Sequence, residues 1–176
     1  MAGARPSCYA ELMSTIFPDF DGFVTALPAE GSVFGLDLGT KTIGVAVSDP
    51  RRTIASPVET ILRRKFTLDA DRLLELAAGR KVVGFVLGLP VNMDGSEGPR
   101  CQATRAFARS LAGRTPLPIG FWDERLSTAA IERMLISFDT SRKRRDEVVD
   151  KLAAAYILQG AIDRMAGIRR AAVGAI

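Results

Sequence analysis

The order in which hydrophobic periodicity changes along the chain constrains the fold most. From Val33 three extended runs follow one another: VFGLDLG, a short turn at Gly39-Thr40-Lys41, TIGVAVSD, and a third run near residues 54–62. Runs joined so closely form an antiparallel meander. The pattern then switches. Leu73, Leu74, Ala77 and Ala78 fall at helical spacing within residues 68–78, and VVGFVLGLP follows with the unbroken apolar character of a strand covered on both faces. Residues 92–100 read as a glycine-bearing loop, 101–112 as a helix, 117–122 as a strand, 127–136 as a helix with Ser127 as N-cap, and about 147–165 as a final helix. This order predicts an α/β fold: a mixed five-stranded sheet, an antiparallel meander and then parallel strands, flanked by helices. Residues 1–32 mix Pro, Gly, Ala and isolated aromatics and end in Pro28-Ala29-Glu30-Gly31. They are expected to form an appendage, with residues 33–165 as the domain and 166–176 as a tail.

At 176 residues, 47% hydrophobic and 25% charged, the chain suits one globular core. Arg, Asp or Pro interrupts even the richest apolar stretches, so no membrane span is expected. Glu11 and Pro18 break the N-terminal apolar stretch before a secretory signal could form, which points to the cytoplasm. Cys8 and Cys101 are far apart, without metal-like spacing, and are expected to be free thiols. Histidine is absent. That removes the commonest general base and the commonest transition-metal ligand, leaving carboxylates, Lys, Ser, Thr or a hard cation for any chemistry. The net charge of +4 conceals an asymmetry, because residues 33–176 carry 23 basic against 16 acidic groups, a net of +7. Such an excess favours a polyanionic partner.

Asp37 interrupts a strand otherwise made of Val33, Phe34, Gly35, Leu36 and Leu38. An unpaired buried charge costs several kcal/mol or neutralises itself, so Asp37 needs a partner. The turn backbone at Gly39 is one candidate; a second acid site is another. Asp123-Glu124 closes the strand LPIGFW, and strand alternation allows only one of the two to join Asp37. Asp150 lies in DEVVDKLAAAYILQGAI with Val149, Ala153 and Ala154 around it at helical spacing, beside a packed face. Asp146 and Glu147 suit the helix dipole better. Three acids from two strand ends and a helix offer the oxygen ligands a hard divalent cation requires. Two such ions about 4 Å apart can activate water and stabilise a leaving oxygen without a side-chain base.

The strings GLDLGTKTIGVAVSD, GLPVNMDGSEG, DERLST and VVDKLAAAYILQ resemble, in order and spacing, the YqgF or RuvX family of Holliday-junction-resolvase-like proteins over about residues 33–165. The resemblance implies a ribonuclease H-like fold and nuclease processing of the 16S ribosomal RNA precursor; from the chemistry of the acids, Mg²⁺ or Mn²⁺, two ions, is the expected cofactor. Carried over by position, the resemblance implies Asp37, Glu124 and Asp150 as catalytic acids and metal ligands. Glu147, three residues before Asp150, takes the place of a further acid in the related RuvC resolvases and becomes a supporting ligand. Lys41 stands where Arg is frequent in the family; it keeps the charge without the bidentate fork, and a phosphate-facing role is expected of it.

Arg142, Lys143, Arg144 and Arg145 form four consecutive cations just before the predicted final helix and are expected to contact the phosphate backbone. Arg125 is expected either to contact phosphate or to orient Glu124. VNMDGSEGPR resembles a glycine-rich phosphate cradle, although Asp94 and Glu97 oppose an anion there. Phe34, Phe85, Phe107 and Phe121 read as core. The expected partner is nucleic acid, either structured RNA such as the ribosomal precursor or branched DNA. A Holliday-junction endonuclease and a noncatalytic RNA- or DNA-binding factor on the same fold are the alternatives. DLGT followed by GVAVS also resembles the phosphate loop of actin-like ATPases, but those close two such domains around ATP and this chain has residues for one.

Overall fold

The computed structural model describes residues 15–126 and 142–174, with backbone alone for Leu126 and residues 142–148. A five-stranded sheet is built from β1 (Ser32–Leu38), β2 (Thr42–Ser48), β3 (Ala55–Leu62), β4 (Val82–Leu89) and β5 (Ile119–Asp123), in the order β3-β2-β1-β4-β5. β1 pairs antiparallel with β2, and β2 with β3, whereas β4 joins β1 in parallel and β5 joins β4 in parallel. The meander followed by parallel strands is therefore as the periodicity predicts. Pro57, which cannot donate to a ladder, falls on edge strand β3 at the register shift opposite Val45 and Ala46.

Strand alternation divides the core into two layers. Phe34, Leu36, Ile43, Val45, Phe85 and Leu87 face α2 (Phe66–Gly79) and α3 (Pro99–Ala112). Val33, Ala46, Val86 and Trp122 face α1 (Phe20–Ala26) and the long α4 (Arg142–Val173). α4 buries Ala154, Ile157, Leu158, Ala161, Ile162 and Met165, a single stripe at helical spacing. α3 starts with Gly98 as N-cap and Pro99 in its first turn, where a missing N–H costs nothing.

Several sequence expectations are corrected. Residues 16–27 are no appendage: Phe23 is fully buried and Val24 and Leu27 nearly so. α1 docks on two strand glycines, since a Cβ on Gly120 would lie 2.5 Å from Phe23 Cγ and one on Gly84 would lie 2.7 Å from Leu27 Cδ2. Asp19 caps α1, accepting from the Gly22 N–H at 2.6 Å. The linker is also fixed, because buried Arg52 donates to the carbonyls of Gly31 and Pro28, each at 2.8 Å. The apolar spacing near the N-terminus is too short to show a periodic face, which hid this packing from sequence inspection.

α4 starts at Arg142 and runs through Val173. The basic run is thus the helix's first turns rather than a preceding loop, and residues 166–173 belong to the helix rather than to a tail. Basic residues at a helix start oppose the dipole, the reason the sequence suggested a later beginning. The helix expected at 127–136, with its Ser127 cap, lies outside the described residues, as does Cys8. Cys101 is a buried free thiol that donates to the Pro90 carbonyl at 3.0 Å. Among the described residues no helix is long and apolar enough to cross a membrane.

Candidate active site

Asp37 sits on the α4 face of the sheet between two glycines. Its antiparallel partner is Gly44 on β2, and Gly88 on β4, which follows the Leu36 partner Leu87, stands level with it on the other side. Both glycines are required by what lies over them. A Cβ on Gly44 would be 2.1 Å from the Asp150 carbonyl oxygen, so only glycine lets α4 cross here. A Cβ on Gly88 would be 2.5 Å from Glu124 Oε1 and 2.6 Å from Ile157 Cδ1. Gly35, two residues before Asp37, admits α4 in the same way against Leu158 and the Ala154 carbonyl. The row of glycines therefore seats the helix bearing Asp150 and opens the space that the Glu124 side chain enters.

Electrostatics link the three acids through Asp37. Burial, followed by the negative charge of Asp150, pushes the Asp37 carboxyl up to about 6 against an opposing pull from Arg100. Burial and then the charge of Asp37 raise Glu124 to about 7, with Asp123 adding to the rise and Arg100 again opposing it. Asp150 is anchored separately: Thr42 Oγ1 donates to its Oδ2 at 2.6 Å. Among the described residues no three acidic, histidine or cysteine side chains form a ready ligand cluster; the proximity is pairwise, with Asp37 common to both pairs. The donors are all hard oxygens, as Mg²⁺ or Mn²⁺ prefers, and a cation between them would offset the repulsion that raises Asp37 and Glu124.

Glu124 opens a one-turn 3₁₀ helix (Glu124–Leu126) after β5 ends at Asp123. Alternation along a strand therefore does not govern its direction; the turn does. Asp123 instead holds Arg125, accepting from its Nε at 3.0 Å, its Nη2 at 2.6 Å and its backbone N–H at 3.0 Å. Arg125 thus pairs with Asp123, not with Glu124. Lys41 is exposed in the β1–β2 turn. Glu147 and the cations Arg142, Lys143, Arg144 and Arg145 lie on α4, with side chains outside the described residues.

The 91–98 loop closes on itself instead of forming an anion cradle. Asp94 Oδ1 accepts from the Ser96 N–H at 2.9 Å and from Ser96 Oγ at 2.6 Å, while Asn92 Nδ2 donates to Ser96 Oγ at 2.9 Å. Glu97 pairs with Arg105. Sequence reading missed Thr42, Gly44, Gly88 and Arg100. Isolated glycines inside apolar strands signal a close approach, and that cue was available at Gly44 and Gly88. Nothing local identifies Thr42 or Arg100, which act through residues distant in sequence.

A family model described as RuvX, Holliday junction resolvase, matches residues 31–164. The chain belongs to the RuvX family. RuvX relatives named as candidate pre-16S rRNA nucleases include one from Ruegeria sp. (strain TM1040), 66% identical over 85% of this chain and 96% of its own. Another, from Rhodobacter capsulatus, is 64% identical over 89% of this chain and 98% of its own. Among solved structures, T. thermophilus RuvC in complex with a Holliday junction substrate superposes with a TM-score of 0.51 at 15% identity, over 77% of this chain and 96% of that one. The RuvX chain thus has the ribonuclease H-like fold of the RuvC resolvases.

Proposed function

We propose that this chain is a metal-dependent nuclease that hydrolyses phosphodiesters of the 16S ribosomal RNA precursor in the cytoplasm. Asp37, Glu124 and Asp150 are its acidic centre, and Mg²⁺ or Mn²⁺, two ions, its cofactor. The observation that carries this reading is the pair of half-buried carboxylates, Asp37 and Glu124, both raised by desolvation and by neighbouring negative charge on the face where α4 brings Asp150. Sites that keep like charges together against their repulsion are characteristic of function. The names of the 64–66% identical relatives support the precursor as substrate.

When bound, such ions polarise the phosphodiester and lower the pKa of water to yield a nucleophile near neutral pH. Asp37, shared between both acidic pairs, is the central ligand, with Glu124 on one side and Asp150 on the other. Thr42 fixes the Asp150 carboxylate, so its role is positioning. Glu147 is the supporting ligand. Arg142, Lys143, Arg144, Arg145 and Lys41 hold the phosphate backbone, joined by Arg125 where substrate competes with Asp123. The test incubates the full chain with end-labelled precursor RNA and, separately, a four-way DNA junction, in Mg²⁺, Mn²⁺ or chelator. Metal-dependent cleavage of the RNA supports the reading. Cleavage of the junction alone makes it a resolvase, and tight binding without cleavage makes it a binding factor.

A further inference from the structure

We propose that the cavity between the β1–β2 turn, Arg63 and the start of α3 is a subsite for a nucleic-acid backbone phosphate flanking the scissile one. This rests on the nucleic-acid reading of the chain but not on catalysis. The cavity measures about 60 Å³, and Gly39, Thr40, Arg63, Arg100 and Thr104 contribute to its lining together with apolar groups of α3. It is too small for a base, and no acidic side chain lines it. Two guanidiniums flank it from elements distant in sequence. Arg63 is held over the turn by donating from Nη1 to the Gly39 carbonyl at 2.7 Å, which leaves its other nitrogens to an anion. Arg100 is exposed at the start of α3, and its field reaches both Asp37 and Glu124.

Among the described residues Arg72, Arg105, Arg114, Arg125 and Arg164 form ion pairs, whereas Arg51, Arg64, Arg109, Arg169 and Arg170 do not but line other parts of the surface. Among the described residues neither Arg63 nor Arg100 forms an ion pair. The cavity lies at the end of β1 on the α3 face, since Leu38 and Phe107 line it, while Asp37 faces α4. A phosphate seated there is beside the acidic centre and separated from it by the strand, which suits a neighbouring linkage of a bound strand and not the one being cut. Arg100, reaching both positions electrostatically, ties them into one track.

The test measures binding of a fluorescent hairpin RNA by the full chain in chelator, across a salt series, for wild type, Arg63→Ala, Arg100→Ala and the two Arg→Lys variants. Each Ala variant is expected to reduce the log–log salt slope by about 1, as for loss of one phosphate contact, and each Lys variant to retain it. The same hairpin with single linkages replaced in turn by uncharged methylphosphonates locates the contact: one replacement should weaken wild type several-fold and leave both Ala variants unaffected. Unchanged salt slopes with a wild-type linkage profile in both Ala variants overturn the subsite. Should Arg63→Ala fail to fold, Arg100→Ala and the linkage scan decide by the same criteria. A lost linkage contact in a protein that never cleaves RNA in Mg²⁺ or Mn²⁺ upholds the subsite while rejecting the nuclease reading.

Discussion

Gly44 and Asp150 touch through backbone alone: a Cβ on Gly44 would come within 2.1 Å of the Asp150 carbonyl oxygen. Because Gly44 is also the register partner of Asp37, one missing side chain sets how closely the helix acid approaches the strand acid. Gly44→Ala must displace α4 backbone and is expected to cost about 1–3 kcal/mol, the range for overpacking. Gly79→Ala is the control, with open space around it at the end of α2, and should stabilise by about 0.4–1 kcal/mol. Thermal unfolding of both variants checks the pair; equal melting temperatures would show that α4 does not rest on Gly44.

The N-terminal segment gives a second expectation. Phe23 is fully buried against Gly120, Phe17 and Phe20, so Phe23→Ala should lose about 3–5 kcal/mol. Deleting residues 1–30 removes α1 entirely and should abolish cooperative unfolding. A truncated chain that melts like the full one would restore the appendage reading.

A third expectation concerns pH in chelator. Asp37 and Glu124 have folded pKa values near 6 and 7, above their ordinary values of 3.8 and 4.5. The folded state therefore holds protons that the unfolded state has released, and stability falls as pH rises from about 4 to about 7. Asp150 and Asp123 contribute to the rise, and Arg100 opposes it. Asp37→Asn should flatten the decline and raise stability at pH 8 by on the order of 1–3 kcal/mol, since it removes a charge that burial disfavours. Chemical denaturation at pH 5 and pH 8 measures this, and a wild-type pH dependence in the variant contradicts it.

Thr42→Val removes the hydroxyl that holds Asp150 at 2.6 Å. The loss of one charge-assisted hydrogen bond should cost about 1.5–3 kcal/mol of Asp150 positioning. It should appear as a raised requirement for Mg²⁺ with the fold intact, whereas Thr42→Ser should retain wild-type metal dependence. Identical metal titrations for Val and wild type would make Thr42 merely structural.

The succession of strands and helices and the mixed character of the sheet were legible because period-two and period-3.6 patterns repeat over enough residues in β1 to β4 and α2 to α4; the order of strands within the sheet and the two core layers came only with the structure. α1 was not, since seven residues carry too little periodicity and its partners, Gly84 and Gly120, have no side chains to advertise the contact. For the acidic centre, Asp37 stood out as a charge in an apolar strand. Asp150 stood out beside a packed helix face and Asp123-Glu124 at a strand end, but choosing Glu124 over its neighbour needed the family resemblance, because proximity across 87 residues of chain leaves no local mark. Arg63 and Arg100 escaped notice for a related reason: each is an ordinary surface arginine until the β1–β2 turn brings them around one cavity.

Asp37, Glu124 and Asp150 are proposed to act together in a metal-dependent phosphodiester hydrolysis. Its most direct measurement is single-turnover cleavage of end-labelled 16S precursor RNA by wild type, Asp37→Asn, Glu124→Gln, Asp150→Asn and Asp123→Asn, in Mg²⁺, Mn²⁺ and chelator, with folding followed by circular dichroism. Cleavage is expected only with metal, with loss of cleavage in the first three variants, folding retained, and a milder loss in Asp123→Asn, whose carboxylate is committed to Arg125. Cleavage by Asp37→Asn at the wild-type rate, or equal cleavage in chelator, contradicts this expectation.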